Sequence, residues 1–176
     1  MLIRGLFIAA LIALVGGVAW FGLPDSPSKA SEGDVVQSFT LPDLQGKMQQ
    51  LPKDKYILLN FWATWCPPCR QEMPSMVSLS EKYKSKGLNV IAVSVDRDAD
   101  ALAGFVKEYG LPFTILHDQD SAISTKFGVF RYPETFLIDK HGKIQAHLVG
   151  AVEWMSKPIQ QGIEDLLAGK DLVNVK

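Results

Sequence analysis

The stretch "YILLNFWATWCPPCRQEMP", Tyr56 to Pro74, constrains this chain more than any other. Tyr56 to Trp62 is a continuous apolar run with aromatic ends, the pattern of a buried strand. Cys66, Pro67, Pro68 and Cys69 follow almost at once, and "CRQEMPSMVSLSEKYKSKG" then reads as a helix. Proline suits a first helical turn, where its missing N–H has no partner in any case. Cys66 is therefore expected at or just before a helix N-terminus. The unpaired N–H groups and the macrodipole there stabilise a thiolate and lower its pKa. Cys69, one turn further in, is expected to be more covered.

These are the only two cysteines in 176 residues, and three uses compete for them. A structural disulfide between residues so close closes a tiny loop and stabilises little, because the gain grows with loop length. A zinc site needs about four ligands. His117, His141 and His147 lie far along the chain, with no His-x(3–5)-His spacing beside the cysteine pair, and each is more in keeping with a surface or loop residue. A redox pair needs only what is present: Cys66 attacks a substrate disulfide and Cys69 resolves the mixed disulfide. No metal and no separate cofactor is expected, the Cys66–Cys69 disulfide being the redox group. Pro67 and Pro68 stiffen the loop between the sulfurs.

The N-terminus sets the compartment. From Gly5 to Leu23, "GLFIAALIALVGGVAWFGL" carries no charge, and roughly 18 or more apolar residues suffice to span a bilayer as a helix. Arg4 precedes the run and Asp25 follows it, which keeps the N-terminus cytoplasmic and exports the rest. A retained anchor over 1–23 is the reading; a cleaved signal peptide ending at "SKA", Ser28 to Ala30, is the alternative. "SPSKASEGD" is small, polar and broken by proline, as in a linker, placed at 24–33. Residues 34–176 form the domain. Outside the cytoplasm disulfides form and persist, which strengthens the redox reading. The net charge of −1, with both signs mixed, gives no sign of a polyanion-binding surface and no reason to expect a nucleic-acid partner.

"FWATWCPPCRQEMP" resembles the active site of the thioredoxin superfamily. More narrowly it resembles the membrane-anchored extracytoplasmic branch, the TlpA, ResA and CcmG (DsbE) proteins. The resemblance runs from about Gly33 to Leu167. It implies an α/β thioredoxin-like fold: a central mixed β-sheet flanked by helices, with an N-terminal β-hairpin and a helix–strand insertion, preceded by the transmembrane helix. "SFTLPDLQGKMQQLPKDKYILLNFW" matches the hairpin and first core strand, and "GLNVIAVSVDRD" the next strand. "DADALAGFVKEYG" and "FTILHD" match the inserted helix and strand. "GVFRYPETFLIDKHGKIQAHLVG" matches the proline-led strand and terminal hairpin, and "EWMSKPIQQGIEDLLAG" the last helix.

The resemblance also implies roles by position. Pro133 stands at the superfamily's cis-proline, so a cis Tyr132–Pro133 bond is expected, bringing the Tyr132 backbone beside Cys66. That backbone would pair with an extended substrate segment. Trp65, Pro67 and Pro68 would complete the substrate-binding surface. Pro74 matches the family's helix-kinking proline. Glu72, three residues after Cys69, reads by spacing alone as a solvated surface acid; in the ResA and CcmG groups the matching acid is functional. A charged carboxylate there would oppose thiolate formation, and one with a raised pKa would shuttle a proton. Asn60 replaces thioredoxin's buried Asp and reads as a hydrogen-bonded core residue. Trp62 reads as packing.

The implied activity is that of an extracytoplasmic protein-disulfide reductant. Its substrates would be protein disulfides such as the haem-site cysteines of apocytochrome c. Its electrons would come from a membrane thiol-transfer protein of the DsbD or CcdA kind. The domain would lie in the periplasm or on the outer membrane face. A thiol-holding module, or a disulfide oxidase or isomerase, is the alternative. The stretch between Cys66 and Pro133 is too short for the helical domain of DsbA-type oxidases. The peroxiredoxin pattern P-x-x-x-T-x-x-C is absent around Cys66.

Overall fold

The computed structural model describes residues 29–170 and 172. The anchor expected at 1–23 and most of the linker lie outside these residues. Among the described residues no helix is long and apolar enough to cross a membrane.

A five-stranded mixed sheet forms the centre. Its middle strand, β3 (Tyr56–Trp62), is the apolar run noted above. A strand with no alternation has to be buried on both faces, and Leu58, Leu59, Asn60, Phe61 and Trp62 are all fully covered. On one side β3 pairs in parallel with β4 (Leu88–Ser94), and β4 with β5 (Thr114–His117). On the other it pairs antiparallel with β6 (Glu134–Ile138), and β6 with β7 (Ile144–Val149). The hairpin of β1 (Thr40–Pro42) and β2 (Met48–Gln50) forms a separate small sheet. The Asp43 carboxylate accepts the N–H groups of Gln45 and Lys47 and so sets the hairpin turn.

Parallel strands need long crossovers. Helices α1 (Pro67–Lys84) and α2 (Ala99–Tyr109) supply them. Asp98 caps α2 by accepting the N–H groups of Asp100 and Ala101, and Gly110 ends it in the left-handed conformation, an arrangement glycine adopts without strain. A short helix α3 (Ala122–Lys126), which the sequence pattern does not announce, precedes β6. The last helix, α4 (Lys157–Leu167), has Pro158 in its first turn.

The core divides between the two faces of the sheet. One face buries Phe39, Leu59, Phe61, Phe127 and Phe136, with Phe127 packed against the other three phenylalanine rings. The other buries Leu58, Met76, Leu79, Tyr83, Trp154 and Ile163 beneath α1 and α4. The fold thus has the expected mixed sheet, hairpin and helix–strand insertion. The sheet delivers the carboxyl end of β3 and the start of β6 side by side, since Phe61 pairs with Glu134.

Candidate active site

Cys66 is the N-cap of α1, with Pro67 and Pro68 at the first helical positions. This is the start expected from the two prolines, which fit where N–H groups are unpaired. The cysteines form a disulfide with Cα atoms 5.3 Å apart. The Cys69 N–H points at Cys66 Sγ at 3.3 Å, so a free N-terminal donor of the helix is aimed at the sulfur that would carry a thiolate. Cys66 retains 4% exposure and Cys69 none, so Cys66 is the less covered of the two.

The Tyr132–Pro133 peptide is cis. The Tyr132 carbonyl oxygen lies 3.5 Å from Cys66 Sγ, so the two segments far apart in sequence meet at the disulfide. Trp65 is 63% exposed and stands edge-on to Tyr132 with ring centroids 6.0 Å apart. Thr64, Val95, Asp96 and Arg97 line a groove beside these two rings. Pro67 is exposed and Pro68 half-buried next to it. The helix passes through Pro74 without ending.

Glu72 is not a surface acid. It is 2% exposed, on the inner face of α1 with Cys69. Its Oε1 accepts from Asn60 Nδ2 at 3.0 Å and its Oε2 from the Val152 backbone N–H at 3.0 Å. Burial pushes its pKa up from an ordinary 4.5 to about 7, and these N–H donors offset only part of that rise. Desolvation prevails because neither donor carries a charge. The cation in the first turn, Arg70, is turned away onto the rings of Phe105 and Tyr109. Asn60 also donates to Thr135 Oγ1 at 2.9 Å, the hydrogen-bonded core role expected of it. Trp62 is buried against Phe105.

Three supports escape sequence reasoning. Asp96, buried, accepts from both the Thr64 N–H at 3.0 Å and the Thr64 hydroxyl at 2.6 Å. It pins the loop leading into Cys66. Glu134, adjacent to Pro133, is buried and paired with His147 at 2.6 Å, and the imidazole stacks on Phe136. Ser75 Oγ accepts from the Trp154 N–H, so Glu72 and Ser75 together hold the 152–154 loop against α1. His117 and His147, expected as surface or loop residues, both sit on strands and are half-buried. The hairpin pairing that joins Glu134 to His147 has no local sequence signal.

A disulfide at a helix N-terminus, beside a cis-proline and a buried acid, can exchange with another disulfide. Comparison with known proteins agrees. The model of the AhpC/TSA family matches residues 33–147. The chain belongs to the AhpC/TSA family. The thiol-disulfide oxidoreductase ResA of Bacillus thuringiensis (strain Al Hakam) is 38% identical over 152 residues, covering 85% of this chain and 88% of that protein. ResA of Bacillus subtilis (strain 168) is 34% identical, covering 85% of each. A crystal structure from Chlorobium tepidum, described as the thiol:disulfide interchange protein DsbE, superposes with a TM-score of 0.73 at 33% identity. It covers 79% of this chain and 99% of that one. This AhpC/TSA member is thus a thioredoxin-like thiol–disulfide oxidoreductase similar to ResA and DsbE, with Cys66–Cys69 as its pair. Leu59 and Ala63 stand where the P-x-x-x-T-x-x-C pattern of the family's peroxidases would place Pro and Thr.

Proposed function

We propose that this oxidoreductase works as a reductant of protein disulfides on the outer side of a membrane, held there by its apolar N-terminal segment. The observation that carries the direction is the buried Glu72 on the helix face of Cys69, with no cation among the described residues acting on it. A strong oxidant is one whose reduced form is stabilised. A carboxylate behind the thiols does the reverse: it opposes the thiolate, favours the disulfide form and lowers the reduction potential.

The Cys66 thiolate attacks a substrate disulfide, forming a mixed disulfide and releasing one substrate thiolate. The Tyr132 carbonyl beside Cys66 lines the backbone edge against which an extended substrate segment pairs. Trp65, Pro67 and Pro68 flank it. Cys69 then has to lose its proton to attack Cys66 Sγ. Glu72, titrating near neutrality, takes that proton. The second substrate thiol leaves and the Cys66–Cys69 disulfide forms. By family resemblance, the substrates are haem-site cysteines of apocytochrome c. A membrane thiol-transfer protein of the DsbD or CcdA kind returns the electrons.

The test is Cys69→Ser in the full chain, offered an apocytochrome peptide carrying its Cys–Cys disulfide. A catalyst traps a stable Cys66 mixed disulfide and loses turnover. A module that only holds thiols keeps its partner affinity and its function.

A further inference from the structure

The route of the N-terminal strap decides which end of the domain meets the anchor. At the end of the sheet far from Cys66, Val35 bridges Lys143 and the Gly33 N–H bonds to Ile144 O. The strap then climbs beside β7, where Glu32 Oε1 accepts from the His147 N–H. Higher still, the Ala30 N–H bonds to Phe127 O. Lys29 lies so close to Gly128 that a Cβ there would sit 2.7 Å from Lys29 Cγ. Gly128 leads directly into "VFRYP", which ends at the cis-proline. The strap therefore enters the domain at the end that carries Cys66.

Five residues separate Leu23 from Lys29, six Cα steps with a reach of at most about 20 Å when fully extended. A domain of this size is about 35–40 Å across. A tether shorter than the domain cannot turn the far end to the bilayer.

The surface at the tethered end fits a lipid interface. Of the five exposed large apolar side chains among the described residues, three lie here: Phe130 at 73%, Trp65 at 63% and Val149 at 55%. Val149 pairs with Glu134, next to Pro133. Lys29, Lys126 and Arg131 are exposed in the same stretch. Exposed aromatic rings are what a headgroup region takes up, and the exposed basic side chains near Phe130 favour an anionic one, although Asp98 stands with Arg97 in the groove beside Trp65.

We propose that the active-site end of the domain lies against the bilayer surface, with Trp65, Phe130 and Val149 in the headgroup region. This rests on the anchor reading above. Cys66 then meets disulfides presented at the membrane surface.

The experiment uses the full chain carrying Trp20→Phe, reconstituted in phosphatidylcholine–phosphatidylglycerol vesicles brominated on the upper acyl carbons. Trp62 and Trp154 are fully buried, so lipid quenching reports Trp65. The expected result is loss of emission in the brominated vesicles, abolished by adding Trp65→Phe. Flotation of the same sample reads the anchor. A chain that floats but shows no Trp65 quenching overturns the proposal and leaves the anchor standing. A chain that fails to float overturns both. Trp65 emission that answers to a soluble disulfide peptide and not to brominated lipid assigns the rim to substrate and also overturns the proposal.

Discussion

Asn60 on β3 and Glu72 on α1 meet in the interior, Nδ2 to Oε1 at 3.0 Å, with both residues almost wholly buried. The contact ties the central strand to the face of the helix that carries Cys69. It leaves a carboxyl group in the core that titrates near neutrality.

That titration makes stability fall with pH. Glu72 has a folded pKa of about 7 against an ordinary 4.5, so the folded state holds the proton more tightly than the unfolded chain. The stability is greatest below about 4.5 and declines as pH rises through the window to about 7. The full loss is about 3 kcal/mol. Glu72→Gln should remove this slope. Urea unfolding of the oxidised protein across pH 4 to 8 measures it, and parallel curves for the two proteins would contradict the assignment.

The same carboxylate should set the redox balance. Glu72→Gln relieves the opposition to the thiolate and so raises the reduction potential at pH 8. A rise of about 30 mV corresponds to about 1.4 kcal/mol. Equilibration with dithiothreitol reads the shift, and an unchanged or lower potential would count against a role for this acid.

Asn60→Ala takes away a donor that lowers the Glu72 pKa. The titration midpoint should move upward, and the lost buried hydrogen bonds should cost about 1–3 kcal/mol. NMR titration of the Glu72 side chain distinguishes this from an unmoved midpoint.

Buried Glu134 and half-buried His147 are hydrogen-bonded one residue beyond the cis-proline. Removing one partner leaves a buried hydrogen-bonding group unsatisfied, at a cost of about 1–3 kcal/mol. His147→Ala should destabilise by about that much, and the Glu134→Gln/His147→Ala double variant should lose less than the sum of the two. Simple additivity in denaturant melts would show the pair to be uncoupled.

How much of this was legible in the sequence follows from the range of each interaction. The β3 strand, the N-cap position of Cys66 and the helix beyond it rest on local pattern, and they appear where that pattern puts them. The cis bond at Pro133 and the approach of Tyr132 to Cys66 came from resemblance alone. Glu72 shows the limit most clearly. Its spacing from Cys69 places it on the right face of the helix, but its burial depends on Val152, eighty residues away. Asp96 and Thr64 are likewise joined by the β3–β4 pairing, and Glu134 and His147 by the β6–β7 register. Such contacts leave no periodic trace in the sequence.

The most direct test of the reductant assignment is the reduction potential of the Cys66–Cys69 couple in the full chain, equilibrated with glutathione or dithiothreitol buffers. Thioredoxin lies near roughly −270 mV and the oxidant DsbA near −120 mV. A value below about −220 mV is the result predicted. A value above about −150 mV would contradict it and would make the protein an oxidase or isomerase.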